Sequence, residues 1–395
     1  MSRNRIDLVR PDAPALAAPG PHPVGVRTLS MGLADQPDIA SGAASGHSRV
    51  LTAEAWYPAP PGTAQGGCYD TVLRDGVRRA VLSGRARRDA PCAQGFRAPL
   101  VVLSHGYPGN RYLMCHLAES LAGRGFVVVA PDHAGSTYDD LHDFGATLLH
   151  RPLDQRGVID AMAALEGDLG ALTDCARVGV IGFSMGGYGA LVLGGAGLAE
   201  TALAHERADP AGLLARHRAG SATHAALCDA RVAALIAIGP WGNAQGMWDA
   251  AGLAGLRAPL LVMAGTADDI SNYDAMRGIW AGANGVDRYL LSFRAAGHNA
   301  AAPYPAAEES WAHSEVLGWA PFAHHADPVW DTVRMNNIAQ HLAAAFLGLH
   351  LQEDRAMADY LAPDLPGFGP GGAAGLDWEQ AAAGAQVSIC KRAKT

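Results

Sequence analysis

Lysine is nearly absent from this 395-residue chain, occurring only at Lys391 and Lys394, and every other basic side chain is an arginine. Acidic residues outnumber basic ones, so the formal net charge is -8. Proteins that bind nucleic acid without sequence preference need a basic surface. This charge balance therefore argues against a nucleic-acid partner.

Long apolar runs are also missing. No segment reaches the roughly 18 consecutive apolar residues that a membrane span needs. The first twenty residues carry charges, and no apolar stretch follows them as it would in a secretory signal. We therefore expect no membrane span and no leader peptide, and we predict a cytoplasmic protein.

The chain has no recognisable metal-binding spacing. Its six cysteines are scattered without a C-x-x-C pair, so we expect mostly reduced thiols and leave open only a disulfide between Cys68 and Cys92. There is no H-E-x-x-H sequence, and none of the histidines has a standard zinc spacing. We expect neither a metal nor a cofactor, although several side chains have the chemistry of ligands: His133, His142, His150, His324, His325 and Asp327.

Regular alternation of apolar strands and helices begins near residue 99. Apolar strands that alternate with helices are typical of a mainly parallel sheet covered on both faces. The fold class predicted is therefore α/β. Strands are predicted at 24–29, 49–57, 99–103, 126–130, 178–181, 232–238, 259–264 and 288–293, and helices at 111–124, 154–169, from 185, and at 328–347.

Composition divides the chain into several parts. Residues 1–22 are rich in Pro and Ala, and this composition predicts a loose arm. A single catalytic domain is predicted over 23–350. Within it, 58–97 is an irregular excursion with a hairpin predicted around 72–82, and 197–230 is predicted to form a small helical cap over the active site. Residues 351–395 are expected to wrap the surface as a tail.

The strongest chemical motif is G-x-S-x-G, here Gly182, Ser184 and Gly186. It follows an apolar strand and precedes a helical run, which is the context that this motif requires. Such a turn exposes the serine at the end of a strand and aims the next helix N-terminus at it. We therefore predict Ser184 as a nucleophile. The alternative is a passive serine in a Gly-rich turn.

A second Gly-containing loop, 103–109, directly follows a predicted strand. In enzymes that have the G-x-S-x-G turn, such a loop supplies one backbone N–H to an oxyanion hole. We assign the hole to the N–H groups of Tyr107 and Met185, because Pro108 has no N–H to donate. His105 is interpreted as structural.

The acid and the base follow later strands. Asp268 and Asp269 both lie just past a strand end, and the Gly-x-x-Asp spacing favours Asp268, with Asp269 starting or capping the helix beyond it. His298 comes after the last predicted strand and completes the chain order Ser, Asp, His. The later histidines are predicted to be surface or loop residues: His313, His324 and His325.

Together these motifs resemble those of the α/β-hydrolases, within them the dienelactone-hydrolase-like and platelet-activating-factor acetylhydrolase-like serine esterases, with some likeness to cutinase-type polyester hydrolases. The matching stretches are 56–58, 103–106, 131–137, 151–154, 182–187, 265–268 and 297–298. The resemblance implies the α/β-hydrolase fold and places Tyr107 and Trp241 beside the acyl pocket. True dienelactone hydrolases use a cysteine nucleophile, whereas this chain has Ser184.

We therefore predict a serine esterase that cleaves a small or medium carboxylic ester through an acyl-enzyme, with Ser184, Asp268 and His298 as the triad. The predicted partner is a small-molecule ester or amide. The same triad also serves amidases and peptidases, and a non-catalytic ligand-binding module on the same fold is a further alternative.

Overall fold

A computed structural model describes residues 3–142, 144–208 and 211–387 of the chain. Its centre is a ten-stranded sheet, and a separate two-stranded hairpin lies beside it. The strands are β1 (Val24–Asp38), β2 (Ala43–Pro58), β3 (Gly67–Val72), β4 (Arg79–Gly84), β5 (Arg87–Arg88), β6 (Ala98–Ser104), β7 (Val127–Pro131), β8 (Thr173–Phe183), β9 (Val232–Ile238), β10 (Leu260–Gly265), β11 (Arg288–Phe293) and β12 (Leu376–Ala381).

Short and long helices connect these strands. The α-helices are α1 (Cys115–Ala122), α2 (Phe144–Ala163), α3 (Gly167–Leu172), α4 (Met185–Leu193), α5 (Glu200–Leu203), α6 (Ala222–Leu227), α7 (Ala250–Ala254), α8 (Tyr273–Gly282) and α9 (Thr332–Leu351). None of the helices found in the described ranges is long and apolar enough to cross a membrane.

The strand order is β12-β11-β10-β9-β8-β6-β7-β2-β1-β5. The six strands from β11 to β7 run parallel. β12 pairs antiparallel with β11, β2 pairs antiparallel with both β7 and β1, and the short β5 pairs parallel with β1. The predicted mainly parallel sheet is therefore confirmed, and it is flanked by antiparallel strands. Because the carboxyl ends of the parallel strands meet at one edge, the loops that follow β6, β8, β10 and β11 converge there.

Successive residues of the central strands pack on opposite faces of the sheet, as strand geometry requires. Val101 and Leu103 of β6 join the core with Leu117 of α1 and Leu342 of α9. Val102 joins the second core, together with residues of α2, α4 and α8. Both faces are therefore covered, which explains why these strands are continuous apolar runs.

Helix α2 starts ten residues before the predicted helix and contains Pro152. A proline lacks the N–H that would bond to the carbonyl four residues earlier, so the sequence pattern favours a start after it. In the structure the Leu148 carbonyl instead accepts a hydrogen bond from the Tyr188 hydroxyl, at 3.1 Å. This tertiary contact gives the Leu148 carbonyl the hydrogen bond that Pro152 cannot donate.

The N-terminal segment differs from the predicted loose arm. Ile6 and Leu16 are buried in the core beside α9. The backbone N–H of Leu16 donates to Nδ1 of His341 at 3.1 Å, and that of Arg10 donates to Oδ1 of Asn337 at 2.9 Å. Residues 3–22 are therefore fixed against the last long helix, because their apolar side chains have a surface on which to pack.

The C-terminal tail also does more than wrap the surface, because β12 adds an edge strand to the sheet. It pairs antiparallel with β11 over its whole length, from Leu376 to Ala381. Trp378 stacks on Tyr289 of β11 with ring centroids 5.6 Å apart. Residues 388–395, including Cys390, lie outside the described ranges.

The 58–97 excursion contains the hairpin that the sequence predicts, formed by β3 and β4. Tyr69 and Leu82 of this hairpin enter the core, and the Trp56 indole donates to the Tyr69 hydroxyl at 2.9 Å. Cys68 on β3 and Cys92 beyond β5 are both free. The excursion is thus an ordered part of the domain.

Candidate active site

Ser184 lies on the turn between β8 and α4, in a backbone conformation that is rare for a residue with a side chain. Its φ is 51° and its ψ is -113°. The turn is tight because a Cβ at Gly182 would meet the Gly186 carbonyl oxygen at 2.1 Å, and one at Gly186 would meet the Ser104 carbonyl oxygen at 2.1 Å. The two glycines of the motif therefore permit the strained turn on which the serine sits.

The tightness of this turn predicts a stability effect. Gly186→Ala should lower the free energy of unfolding by about 1–3 kcal/mol or more, because the added methyl group collides with backbone. Gly32→Ala in β1 is the control, since a Cβ there would meet open space, and we expect a change within about 0.5 kcal/mol. Urea unfolding of the two variants measures the difference, and equal stabilities would contradict the packing argument.

His298 and Asp268 are joined by a hydrogen bond. Nδ1 of His298 donates to Oδ2 of Asp268 at 2.8 Å, because an ionised carboxylate can only accept. The other carboxylate oxygen accepts from the backbone N–H groups of Ile270 at 2.9 Å and Ser271 at 2.8 Å. Asp268 is thus held in place from both sides, and Nε2 of the neutral imidazole is left as an acceptor. Asp269, the alternative acid, is exposed.

Ser184 and His298 line the same cavity, which has a volume of about 540 Å³. The Phe183 ring lies beside the imidazole, with ring centroids 5.0 Å apart. The cavity is thus bounded by all four of the loops, after β6, β8, β10 and β11, that converge at the carboxyl edge of the sheet. Its described lining comprises Arg74, Gly106, Tyr107, Pro108, Phe183, Ser184, Ala267, Asp269, Ile270, Ala295, Gly297, His298, Asn299, Trp319, Ala323, His324, Ala326, Asp327 and Pro328.

Of the two residues predicted to form an oxyanion hole, Met185 directly follows Ser184 in the chain, and Tyr107 lines the same cavity as Ser184. Met185 is the first residue of α4 and is buried. Tyr107 lines the cavity in the loop after β6. The buried guanidinium of Arg151 holds this loop by donating to the carbonyl oxygens of His105 and of Gly106.

His105 has a structural position, as interpreted from the sequence. Its Nδ1 donates to the Gly106 carbonyl at 2.7 Å, and its Nε2 accepts from the backbone N–H of His133 at 3.1 Å. Burial and the positive charge of Arg151 hold the pKa of His105 well below its usual range. Both ring nitrogens are therefore engaged, and the imidazole stays neutral.

A second Ser–His–Asp arrangement lies under the site, which sequence reasoning did not find. The Ser104 hydroxyl lies 2.8 Å from Nε2 of His133, whose Nδ1 lies 3.0 Å from Oδ2 of Asp154. All three residues are buried, and Asp154 is also paired with Arg49. None of them lines the cavity of Ser184. This cluster therefore connects β6 to α2 and to the loop after β7. Because it has the hydrogen bonds of a triad but lies outside the cavity, the hydrogen-bond pattern alone does not identify an active site.

Trp241 is not among the residues that line the cavity. Its ring packs on Phe144 with centroids 5.2 Å apart, and Phe144 packs on Tyr107 at 5.0 Å. The backbone N–H of Trp241 donates to the Ser184 carbonyl at 3.2 Å. The Phe144 ring thus contacts both Trp241 and Tyr107. The place of Trp241 in the acyl pocket stays a prediction.

The segment 319–328 lines one side of the cavity, and sequence reasoning missed it. His324 lies in the cavity wall and hydrogen-bonds the Tyr138 hydroxyl at 2.8 Å, while His325 is fully buried. Of the three histidines predicted to be surface or loop residues, His313 is exposed, His325 lies in a turn but is buried, and His324 is half-buried in a short 3-10 helix. Burial lowers the pKa of His324 well below its usual range and that of His325 to about 4, so both are neutral.

The predicted cap segment, 197–230, contains α5, α6 and a short 3-10 helix. None of its described residues lines the cavity, and a capping role stays a prediction. Among the side chains placed in the structure, no group of three or more His, Cys, Asp or Glu residues is arranged to hold a metal ion.

Comparisons with known proteins bear on the fold. A family profile described as "alpha/beta hydrolase fold" matches residues 99–195. The ferulic acid esterase from Streptomyces cinnamoneus is a similar solved structure, with a TM-score of 0.59 and 22% sequence identity, covering 95% of this chain and 99% of that one. No curated protein matches the chain significantly. The profile and the structure agree on one fold.

Proposed function

We propose that this chain, a member of the α/β-hydrolase superfamily, is a serine esterase that cleaves small or medium carboxylic esters. The observation that carries the proposal is the Asp268–His298 hydrogen bond of 2.8 Å at the wall of the cavity that also holds Ser184. The similar structure from Streptomyces cinnamoneus is a ferulic acid esterase, and the proposed ester hydrolysis is consistent with that.

In the proposed mechanism, Ser184 attacks the ester carbonyl carbon while Nε2 of His298 removes the hydroxyl proton. Asp268 keeps the proton of the neutral imidazole on Nδ1 and stabilises the imidazolium that forms. The oxyanion is stabilised by the backbone N–H groups of Tyr107 and Met185. His298 then protonates the departing alcohol, and water, activated by the same imidazole, cleaves the acyl-enzyme and regenerates Ser184.

The cavity supports a substrate of modest size. Its volume of about 540 Å³ lies in the range of small-molecule sites, and most of its wall is apolar. Phe183, Ile270 and Trp319 contribute to that wall. A small ester is favoured over a longer peptide because the volume of the cavity is limited.

The test is hydrolysis of p-nitrophenyl esters from acetate to decanoate, together with matched p-nitroanilides. We expect turnover of the esters with a preference for short or medium acyl chains, and slower or no turnover of the anilides. Faster cleavage of anilides would replace the esterase by an amidase. Inertness towards every ester and anilide, together with no labelling by a fluorophosphonate, would leave a non-catalytic module.

A further inference from the structure

One charged side chain in the cavity wall has no part in the mechanism above. Arg74 lies in the turn between β3 and β4, and its side chain reaches the cavity that holds Ser184 and His298. The hairpin of the 58–97 excursion thus brings a cation into the site, from a part of the sequence about 110 positions before Ser184.

Arg74 lacks the carboxylate partner that most half-buried arginines have. Its Nε is buried without a hydrogen-bond partner, and no described carboxylate contributes to the change in its pKa. Its guanidinium lies 5.9 Å from the Tyr138 ring centroid. Burial lowers the pKa of Arg74, yet a guanidinium remains protonated at neutral pH. Arg74 therefore places a positive charge in the cavity wall without an ion-pair partner among the described residues.

Two acidic residues line the cavity, and neither forms an ion pair with Arg74. Both carboxylate oxygens of Asp327 accept from backbone N–H groups, one from Gly297 at 2.7 Å and the other from Val329 at 2.9 Å and Trp330 at 2.8 Å. Asp269 is exposed at the cavity edge. No described carboxylate is therefore placed to neutralise Arg74 before a substrate binds.

The turn that carries Arg74 is held firmly. Asp75 accepts from the backbone N–H groups of Val77 and Arg78 and pairs with the Arg78 side chain at 3.7 Å. Arg78 in turn donates to the carbonyl of Ala312 at 2.8 Å, and Asn110 donates to Thr71 Oγ1 at 2.8 Å. One oxygen of the carboxylate next to Arg74 is thus engaged by the turn, while Oδ2 is buried without a hydrogen bond, 3.7 Å from Nε of Arg78. The hairpin is fixed at both its strand and its turn.

We propose that Arg74 determines specificity by pairing with a carboxylate of the substrate, so that the preferred substrates are esters that carry a second, negatively charged carboxyl group. This inference rests on the esterase function proposed above. The planar guanidinium can donate two parallel hydrogen bonds to a carboxylate, and the low-dielectric setting strengthens that pair. Burying a cation without a partner costs free energy, which such a substrate would recover.

The experiment compares monomethyl esters of the dicarboxylic acids from succinic to suberic with methyl alkanoates in which a methyl group replaces the free carboxylate. For at least one length we expect kcat/KM to be about 10–100-fold higher for the anionic ester, as hydrogen bonds between charged groups allow. In Arg74→Gln this preference should disappear, so that the ratio of kcat/KM for the anionic ester to kcat/KM for the neutral ester falls by about 10–100-fold.

Arg79→Gln is the matched control. Arg79 lies on β4 of the same hairpin, but it is exposed and paired with Asp70 at 3.0 Å. It should keep the wild-type preference. Equal effects of Arg74→Gln on anionic and neutral esters, or no effect on either, would overturn the proposal while leaving the esterase function in place.

A binding measurement tests the role of Arg74 even if the protein proves not to be an esterase. If no ester is hydrolysed, calorimetric titration with succinate, glutarate and adipate still reports on the cation. Binding to the wild type that weakens about tenfold or more in Arg74→Gln would support the anion site. Equal binding to both proteins, or binding to neither, would overturn it.

Discussion

Ser184→Ala is expected to lower kcat on every accepted ester by about 10⁶-fold, since loss of a triad nucleophile removes the covalent step. The fold should survive, because alanine occupies the same turn with one atom fewer, and the Ser184 hydroxyl has no described hydrogen bond to lose. Single-turnover and steady-state hydrolysis of the best p-nitrophenyl ester measure the loss, with circular dichroism as the check on folding.

The chain offers a matched control in Ser104→Ala. Ser104 also hydrogen-bonds a histidine that is paired with an aspartate, but it is fully buried and lies outside the cavity. Its replacement should cost about 1–3 kcal/mol of stability by removing a buried partner of His133, while the fluorophosphonate still labels the protein. Labelling at Ser104, or full activity in Ser184→Ala, would show that the proposed nucleophile is wrong.

Asp268→Asn should lower kcat by about 10⁴-fold, the size of effect seen when a triad acid becomes an amide. An amide can donate to Nδ1, which favours the tautomer with the proton on Nε2, where it can no longer accept from Ser184. The buried position of Asp268 makes solvent a poor substitute. Steady-state kinetics on the same ester series would measure the loss as a change in kcat.

Asp269→Asn distinguishes the two neighbouring acids. Asp269 is exposed, and Oδ2 of Asp268 is the atom 2.8 Å from His298. We expect Asp269→Asn to change kcat by no more than about threefold, as is usual for a surface substitution. The reverse order of effects would transfer the role of triad acid to Asp269 and remove the geometric basis of the mechanism.

Local patterns predict most of the central sheet. Strand β9 begins and ends where its apolar run does, because a strand buried on both faces needs an uninterrupted apolar segment. The G-x-S-x-G motif is equally readable, since the turn at Ser184 depends on glycines two positions away. In both cases the physical cause acts over a few neighbouring residues.

Other elements depend on partners far away in the chain. The start of α2 before Pro152 relies on Tyr188, whose hydroxyl donates to the Leu148 carbonyl. The edge strand β12 exists because β11 presents an unpaired edge to it. The N-terminal segment is ordered because Leu16 finds a site beside His341. None of these contacts produces a hydrophobic periodicity or a motif spacing that can be recognised in the sequence.

The sequence by itself determined the α/β layering and the positions of the candidate nucleophile, acid and base, because each follows an apolar strand in a short, recognisable turn. Tertiary structure alone decided which Ser–His–Asp set faces a cavity and which other residues line it. It also places Asp268, the aspartate that the sequence spacing favours, against His298. Arg74 and His324 reach that cavity from segments that carry no catalytic motif. Their placement is set by the packing of a hairpin and a long loop, which only the folded chain brings together.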